Sequence, residues 1–333
     1  MKNSSTDFAY LVSKFLTEYL PNHRNYSKNT ILSYRDSLKL FVVFLRDDKS
    51  INVNYFRMKD FDRKLILEFI DWLRTSKSSS STINQRLAAI KSFTNFAQYE
   101  SIEYLSNLQE INSIKSLKTQ VKEIDYLTKD QMKKLINSPD CSTTQGMKHK
   151  IILCLLYDTG ARVQELCDIK IGDLTLGNNP KIKLHGKGNK IRIVPLSKNM
   201  NELLEVYTKN KKINDDYLIK NKNNHQMSRD GIEYIIKKYS NKIRNETPTF
   251  PKKVHPHMFR HSKAMHMMAA NIPIVYIRDF LGHEDISTTM IYAKADNRLK
   301  TKAINELAPK LVDEDFPDWT KDSDLLEFLN GFK

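Results

Sequence analysis

Along the first hundred residues, apolar positions recur every three or four residues with polar positions between them, the pattern of helices packed on one side. Phe8, Leu11, Val12, Phe15, Leu16 and Tyr19 predict a helix over 7–20, ended by Pro21-Asn22. The period returns over 27–45 through Ile31, Tyr34, Leu38, Phe41, Val42 and Leu45, and over 61–73 through Leu65, Ile66, Phe69, Ile70 and Leu73. After a Ser/Lys break at 76–81 it returns again over 82–93, through Ile83, Leu87 and Ile90. A compact domain of about four or five helices is expected. Beyond Tyr104 the pattern weakens, and 106–124, polar and Lys-rich, reads as an interdomain linker.

The second half alternates helical and strand periods. Thr128 is placed to cap a helix that follows it, and 148–158 has the apolar content of a buried helix broken at Thr159-Gly160. A new helix over 162–170 puts Arg162 and Glu165 three apart on one face. Residues 181–184 and 191–194 alternate as strands around the hairpin loop Gly186-Lys187-Gly188-Asn189-Lys190. The stretch 209–224 reads as a polar surface connection, and 231–243 as a helix with Ile232, Ile235, Ile236 and Tyr239 inward.

A helix starting at Pro256 would bring His257, Arg260 and His261 to one face. Asn271-Ile272-Pro273 is a turn, 274–281 a short helix closed by Gly282, and His283 follows at once. Ser287-Thr288-Thr289 can cap a third helix carrying Tyr292. The fold class expected is mainly α with a small β-sheet (α+β).

Charge narrows the partner. The 333 residues carry a formal net charge of +15. The last 21 residues hold seven carboxylates against two lysines, so the remaining 312 carry +20. Such an excess suits a polyanion, since neutralising phosphates releases condensed counterions. Lys28, Arg35, Arg86, Lys91 and Lys190, beside the apolar stripes and on the hairpin, are the DNA-binding candidates. Three cysteines without metal-ligand spacing fit a reducing cytoplasm. The most apolar run, 151–157, is too short to span a bilayer, so no membrane role is expected.

Phosphoryl transfer without a metal needs a nucleophile, fixed cations on the non-bridging oxygens, and an acid for the leaving alkoxide. Tyr292 is a phenol able to form a covalent phosphotyrosyl bond, Arg162 and Arg260 are permanently charged forks, His283 can donate a further hydrogen bond, and Lys187 can protonate the departing oxygen. Three groupings carry a family likeness: Thr159-Gly160-Ala161-Arg162-Val163-Gln164-Glu165-Leu166 with Gly186-Lys187-Gly188-Asn189-Lys190, His257-Met258-Phe259-Arg260-His261, and Leu281-Gly282-His283 with Tyr292. In order and spacing they resemble the tyrosine recombinase (phage integrase) family over about residues 7 to 300.

That resemblance implies Arg162 and Arg260 as activating arginines and Lys187 as general acid. It implies His257 as acceptor of the tyrosine proton, His283 as a second phosphate ligand, and Glu165 as the acid bracing the site. It also implies a helical, SAM-like core-binding domain (1–110), a linker (111–125), a catalytic domain (126–305), and an acidic amphipathic tail (306–333) exchanged between protomers. No cofactor and no metal is expected, and the partners are double-stranded DNA sites and further protomers, as a tetramer on two sites or with related recombinases. Within the family the boxes resemble recombinases of mobile elements, with Xer-type dimer resolution the alternative. Phe259 and Ala161 depart from the commonest residues there. Three other functions compete: a type IB topoisomerase, a DNA-binding protein with a dead site, and a zinc hydrolase using His257, His261 and His283. The last lacks the Glu that would follow its first His, a position taken by Met258.

Overall fold

The computed structural model describes residues 6–119, 124–186, 188, 190–209, 216–295, 327 and 329–331. The chain divides into two compact units, Met1–Lys122 and Glu123–Lys333.

The first unit is helical: α1 (Asp7–Lys14), a π-helical turn (Phe15–His23), α2 (Lys28–Asp47), α3 (Arg63–Thr75), α4 (Ser80–Glu100) and α5 (Leu105–Ser113). Thr6, Ser27, Asp62 and Ser79 sit at the N-caps of α1 to α4 and accept the N–H groups of Ala9, Thr30, Leu65 and Thr82, filling donors a helix cannot fill itself. Phenylalanines dominate the core. Phe93 lies edge-on to Phe8, Phe15 and Phe61, with centroids 5.8, 5.5 and 5.8 Å away.

Two expectations fail here. The first helix does not stop at Pro21. The helix widens instead, and the Arg24 N–H reaches back five residues to Tyr19 O (3.2 Å), because proline lacks the N–H that an ordinary turn requires. Nor is 106–124 all linker, since Leu108 and Ile111 of α5 are fully buried against the first unit's core. With two inward positions, a nine-residue helix leaves too faint a period to read.

The second unit contains α6 (Lys129–Asn137), α7 (Thr144–Thr159), α8 (Val163–Asp168), an antiparallel sheet, α9 (Lys198–Thr208), α10 (Arg229–Glu246), α11 (Pro256–Ala269), α12 (Ile274–Leu281) and α13 (Ser287–Ala295). The sheet runs β1 (Leu174–Thr175), β2 (Lys181–His185), β3 (Ile191–Pro195), in that order. Ile182 pairs with Val194, and Leu184 with Arg192. Thr128 and Gln131 form a capping box at the start of α6. The expected surface connection 209–224 is in part core: Leu218 and Ile219 are fully buried, the Leu218 N–H donating to Ile169 O. Their lysine and asparagine neighbours masked the two apolar positions in the sequence. The tail 306–333 lies outside the described residues except for 327 and 329–331, which are exposed. Among the described residues no helix is long and apolar enough to cross a membrane.

Truncating Phe93 leaves a cavity among three rings, so Phe93→Ala should cost the first unit about 3 to 5 kcal/mol. Urea denaturation followed by Trp72 fluorescence, in a Trp319→Phe background that leaves Trp72 as sole tryptophan, checks this. An unchanged midpoint contradicts the packing described.

Candidate active site

The second unit converges on two helix ends. α7 ends at Gly160 (φ 57°) and α12 at Gly282 (φ 65°), both in the left-handed region that glycine enters without strain. Arg260, one turn into α11, is buried between them. Its guanidinium donates to Gly160 O at 2.8 Å and to Leu281 O at 2.6 Å. Both carbonyls belong to the electronegative ends of helices, which favour a cation. Burial, and then the charges of Arg162 and Arg192, push Arg260 down to about 9, which leaves it cationic at neutral pH.

Arg162 caps α8. Its backbone N–H and guanidinium both reach the Glu165 carboxylate, each at 2.8 Å, while its second terminal nitrogen makes only a long 3.4 Å contact to Gly282 O. Glu165 is buried and also accepts a two-pronged bond from Arg192 on β3, both prongs at 2.8 Å. Burial opposes the Glu165 charge, yet the bonds and charge of Arg192, followed by those of Arg162, hold its pKa below the ordinary value.

Tyr292 on α13 is 1% exposed. Its hydroxyl shares a 2.9 Å hydrogen bond with His261 Nδ1, and its ring stacks on His283, centroids 6.4 Å apart and planes 12° apart. His283 bonds Thr289 Oγ1 at 2.8 Å through Nδ1. Burial first, then neighbouring charge, lowers both His261 and His283 to about 4, so both rings are neutral at pH 7. For Tyr292, burial raises the phenol pKa and the charges of Arg260 and Arg162 oppose the rise.

The structure thus gathers Arg162, Glu165, Arg260, His283 and Tyr292. An open cleft of about 650 Å³ adjoins them, lined by Arg162, Arg192, Lys190 and His283 among others. His257 lies exposed one helical turn before His261, ring centroids 6.4 Å apart, and does not touch the phenol. Lys187 lies outside the described residues. Lys190, exposed beside that position, is paired with Glu284 at 2.7 Å. In the first unit Lys28 is exposed, Arg35 pairs with Asp36, Arg86 donates to Ser37 Oγ, and Lys91 bonds the Ile114 carbonyl.

Two residues with clear roles in this geometry were missed as site residues. The contact of His261 with Tyr292 spans 31 positions and had no local signal beyond a shared helix face with Arg260. Arg192 did leave one: it stands at an inward strand position, on the face of Val194 and Leu184, where a charge requires a buried partner.

Residues 125–298 match the phage integrase family, and residues 14–101 match the phage integrase N-terminal SAM-like domain. The chain is 30% identical over 307 residues to the tyrosine recombinase XerD of Staphylococcus haemolyticus, covering 90% of this chain and 99% of that one. It is 32% identical over 285 residues to the tyrosine recombinase XerA of Pyrococcus horikoshii, covering 81% and 93%. The fold is shared with the XerH recombinase bound to its difH substrate (TM-score 0.68, 22% identity, 91% of each chain). It is shared also with the Tn1549 transposon integrase in complex with circular intermediate DNA (TM-score 0.69, 17% identity, 91% and 100%).

Because the folded chain holds His261 and His283 near 4 while an unfolded histidine titrates near 6.5, acid favours the unfolded chain, which takes up the protons the fold refuses. This stability is complete above pH 6.5 and is lost as pH falls toward 4. The thermal midpoint should drop across that window, and less steeply in His283→Asn. Equal slopes for the two proteins would remove His283 from the account.

Proposed function

Because this chain belongs to the phage integrase family and is a tyrosine recombinase, an enzyme that cleaves and rejoins DNA, we propose that Tyr292 is its nucleophile in site-specific recombination. The observation that carries this reading is a phenol held by His261 and stacked on His283, near enough to Arg260 and Arg162 for their charges to act on it.

In the proposed step the Tyr292 oxygen attacks the scissile phosphorus. The bond from phosphorus to the 5′ oxygen breaks, leaving a 3′-phosphotyrosyl linkage and a 5′-hydroxyl. Arg162 and Arg260 take the charge that grows on the non-bridging oxygens, and His283 donates a hydrogen bond to it. Lys187 protonates the departing 5′ oxygen. With Tyr292 1% exposed and its hydroxyl bonded to His261, the phenol must turn out of this place to meet a phosphate. His257, on the exposed start of the same helix, is the proposed acceptor of its proton once it has turned out. Rejoining is the reverse, with a 5′-hydroxyl as nucleophile.

The reading extends to a tetramer on two DNA sites in the cytoplasm, with the acidic tail docked on a neighbouring protomer. For the biological setting, insertion and excision of a mobile element rests on the boxes around His257 and His283. Dimer resolution is supported instead by the names of the XerD and XerC relatives. The DNA flanking the gene separates the two, since paired terminal repeats belong to a mobile element.

Tyr292→Phe should bind a half-site with unchanged affinity and form no covalent adduct on a nicked suicide substrate, because only the phenolic oxygen is lost. An adduct on a denaturing gel with this variant would move the nucleophile elsewhere. Lys187→Ala should slow cleavage on the order of 100-fold or more on ordinary DNA. It should recover when sulfur replaces the 5′ bridging oxygen, since a thiolate leaves without a proton. Lack of recovery would exclude Lys187 as the acid.

A further inference from the structure

One carboxylate at the site is filled completely. Glu165 Oε1 accepts Arg162 and Arg192 at 2.8 Å each, and Oε2 accepts the Arg162 backbone N–H and the second prong of Arg192, again at 2.8 Å. The two arginines differ in exposure. The Arg162 side chain is 39% exposed and faces the cleft, while that of Arg192 is 13% exposed.

The charge arithmetic matters for a phosphate. Arg162 and Glu165 alone would form a neutral pair, and an arginine neutralised by a carboxylate is a poor ligand for an anion. A second arginine, held by both carboxylate oxygens in the bidentate geometry that only a guanidinium offers, leaves the trio with one net positive charge. That charge sits on the exposed member. The outer nitrogen of Arg162, with only its 3.4 Å contact to Gly282 O, is then free to turn to a phosphate oxygen.

Arg192 is also fixed in ways that serve this arrangement. Its Nε is buried without a hydrogen-bond partner, a loss accepted so that both terminal nitrogens can face Glu165. The turn carrying His283 rests on its stem, since a Cβ at Gly282 would lie 2.9 Å from Arg192 Cδ. One side chain therefore bears on two phosphate-facing groups.

We propose that Arg192 is a positioning residue of the cleavage step, engaging both oxygens of Glu165 so that Arg162 is oriented by the carboxylate yet keeps its charge for the scissile phosphate. This rests on Arg162 acting as a phosphate ligand beside the Tyr292 nucleophile.

The test is a double-mutant cycle on the full chain, pairing Arg192→Met with Glu165→Gln. Its readouts are single-turnover adduct formation on a nicked half-site and, separately, half-site affinity. Arg192→Met should slow adduct formation by roughly 30-fold or more while affinity changes less than about threefold. In the Glu165→Gln background the same substitution should change the rate less than about threefold, because the charge it answers is gone. Arg192→Met alone should also acquire an acidic limb in its pH–rate profile, as Glu165 without its main cation takes up a proton in its buried site. Arg192→Lys, which keeps stem and charge but not the fork, runs the same cycle if the methionine variant folds poorly, and should fall between wild type and Arg192→Met. If Arg192→Met slows the Glu165→Gln protein as much as it slows wild type, or if affinity collapses with the rate, Arg192 acts on DNA or on the fold and the proposal is overturned. Absence of any adduct in the wild-type chain would instead overturn the Tyr292 reading.

Discussion

The catalytic unit depends on keeping a guanidinium charged where water scarcely reaches. Arg260 is 4% exposed, and a cation so placed is tolerated only if its hydration is replaced by fixed dipoles. The carbonyls of Gly160 and Leu281 supply these, from the last turns of α7 and α12. That requirement dictates much of the rest. Both helices must stop where they do, both need a left-handed residue at the end, and glycine supplies it twice. Two side chains of the candidate site then sit immediately after these stops, Arg162 two residues beyond one glycine and His283 one residue beyond the other.

Glu165 solves the complementary problem of a buried anion. It is held ionised among arginines, and the arginines are in turn held by it, so the cluster is rigid before any phosphate arrives. Preorganised charge needs no reorientation as the reaction proceeds. The sheet is small, but β3 delivers Arg192 to this cluster.

Most helices of the chain were legible because their inward positions repeat over three or more turns, as in α2, α3 and α4. The Pro256 start of α11 and the Gly282 stop of α12 were legible as local chemistry of helix ends. What escaped was short or masked: α5, whose burial depends on a surface that another helix provides, and Leu218-Ile219, hidden among lysines and asparagines. The family boxes pointed to Arg162, Glu165, Arg260, His283 and Tyr292, which the fold brings near one another, yet Arg192 and the resting contact of His261 are products of tertiary approach. The first was betrayed by a charged side chain on a core-facing strand position, and the second only by the helix face that His261 shares with Arg260.

The sequestered phenol has a quantitative consequence for recognition. Breaking one neutral hydrogen bond such as that between Tyr292 and His261 costs on the order of 0.5 to 1.5 kcal/mol net, and uncovering the stacked ring adds to it. A free chain would then present this phenol, the proposed nucleophile, in only about one molecule in ten, or fewer. The apparent affinity of any DNA that requires the presented state is weakened by that same fraction. Under the proposed mechanism, a DNA site that merely matches the basic surface would gain nothing from the phenol's release, whereas one that seats a phosphate among Arg162, Arg260 and His283 would recover the deficit. A discrimination between binding and commitment is thereby written into the folding of a single side chain.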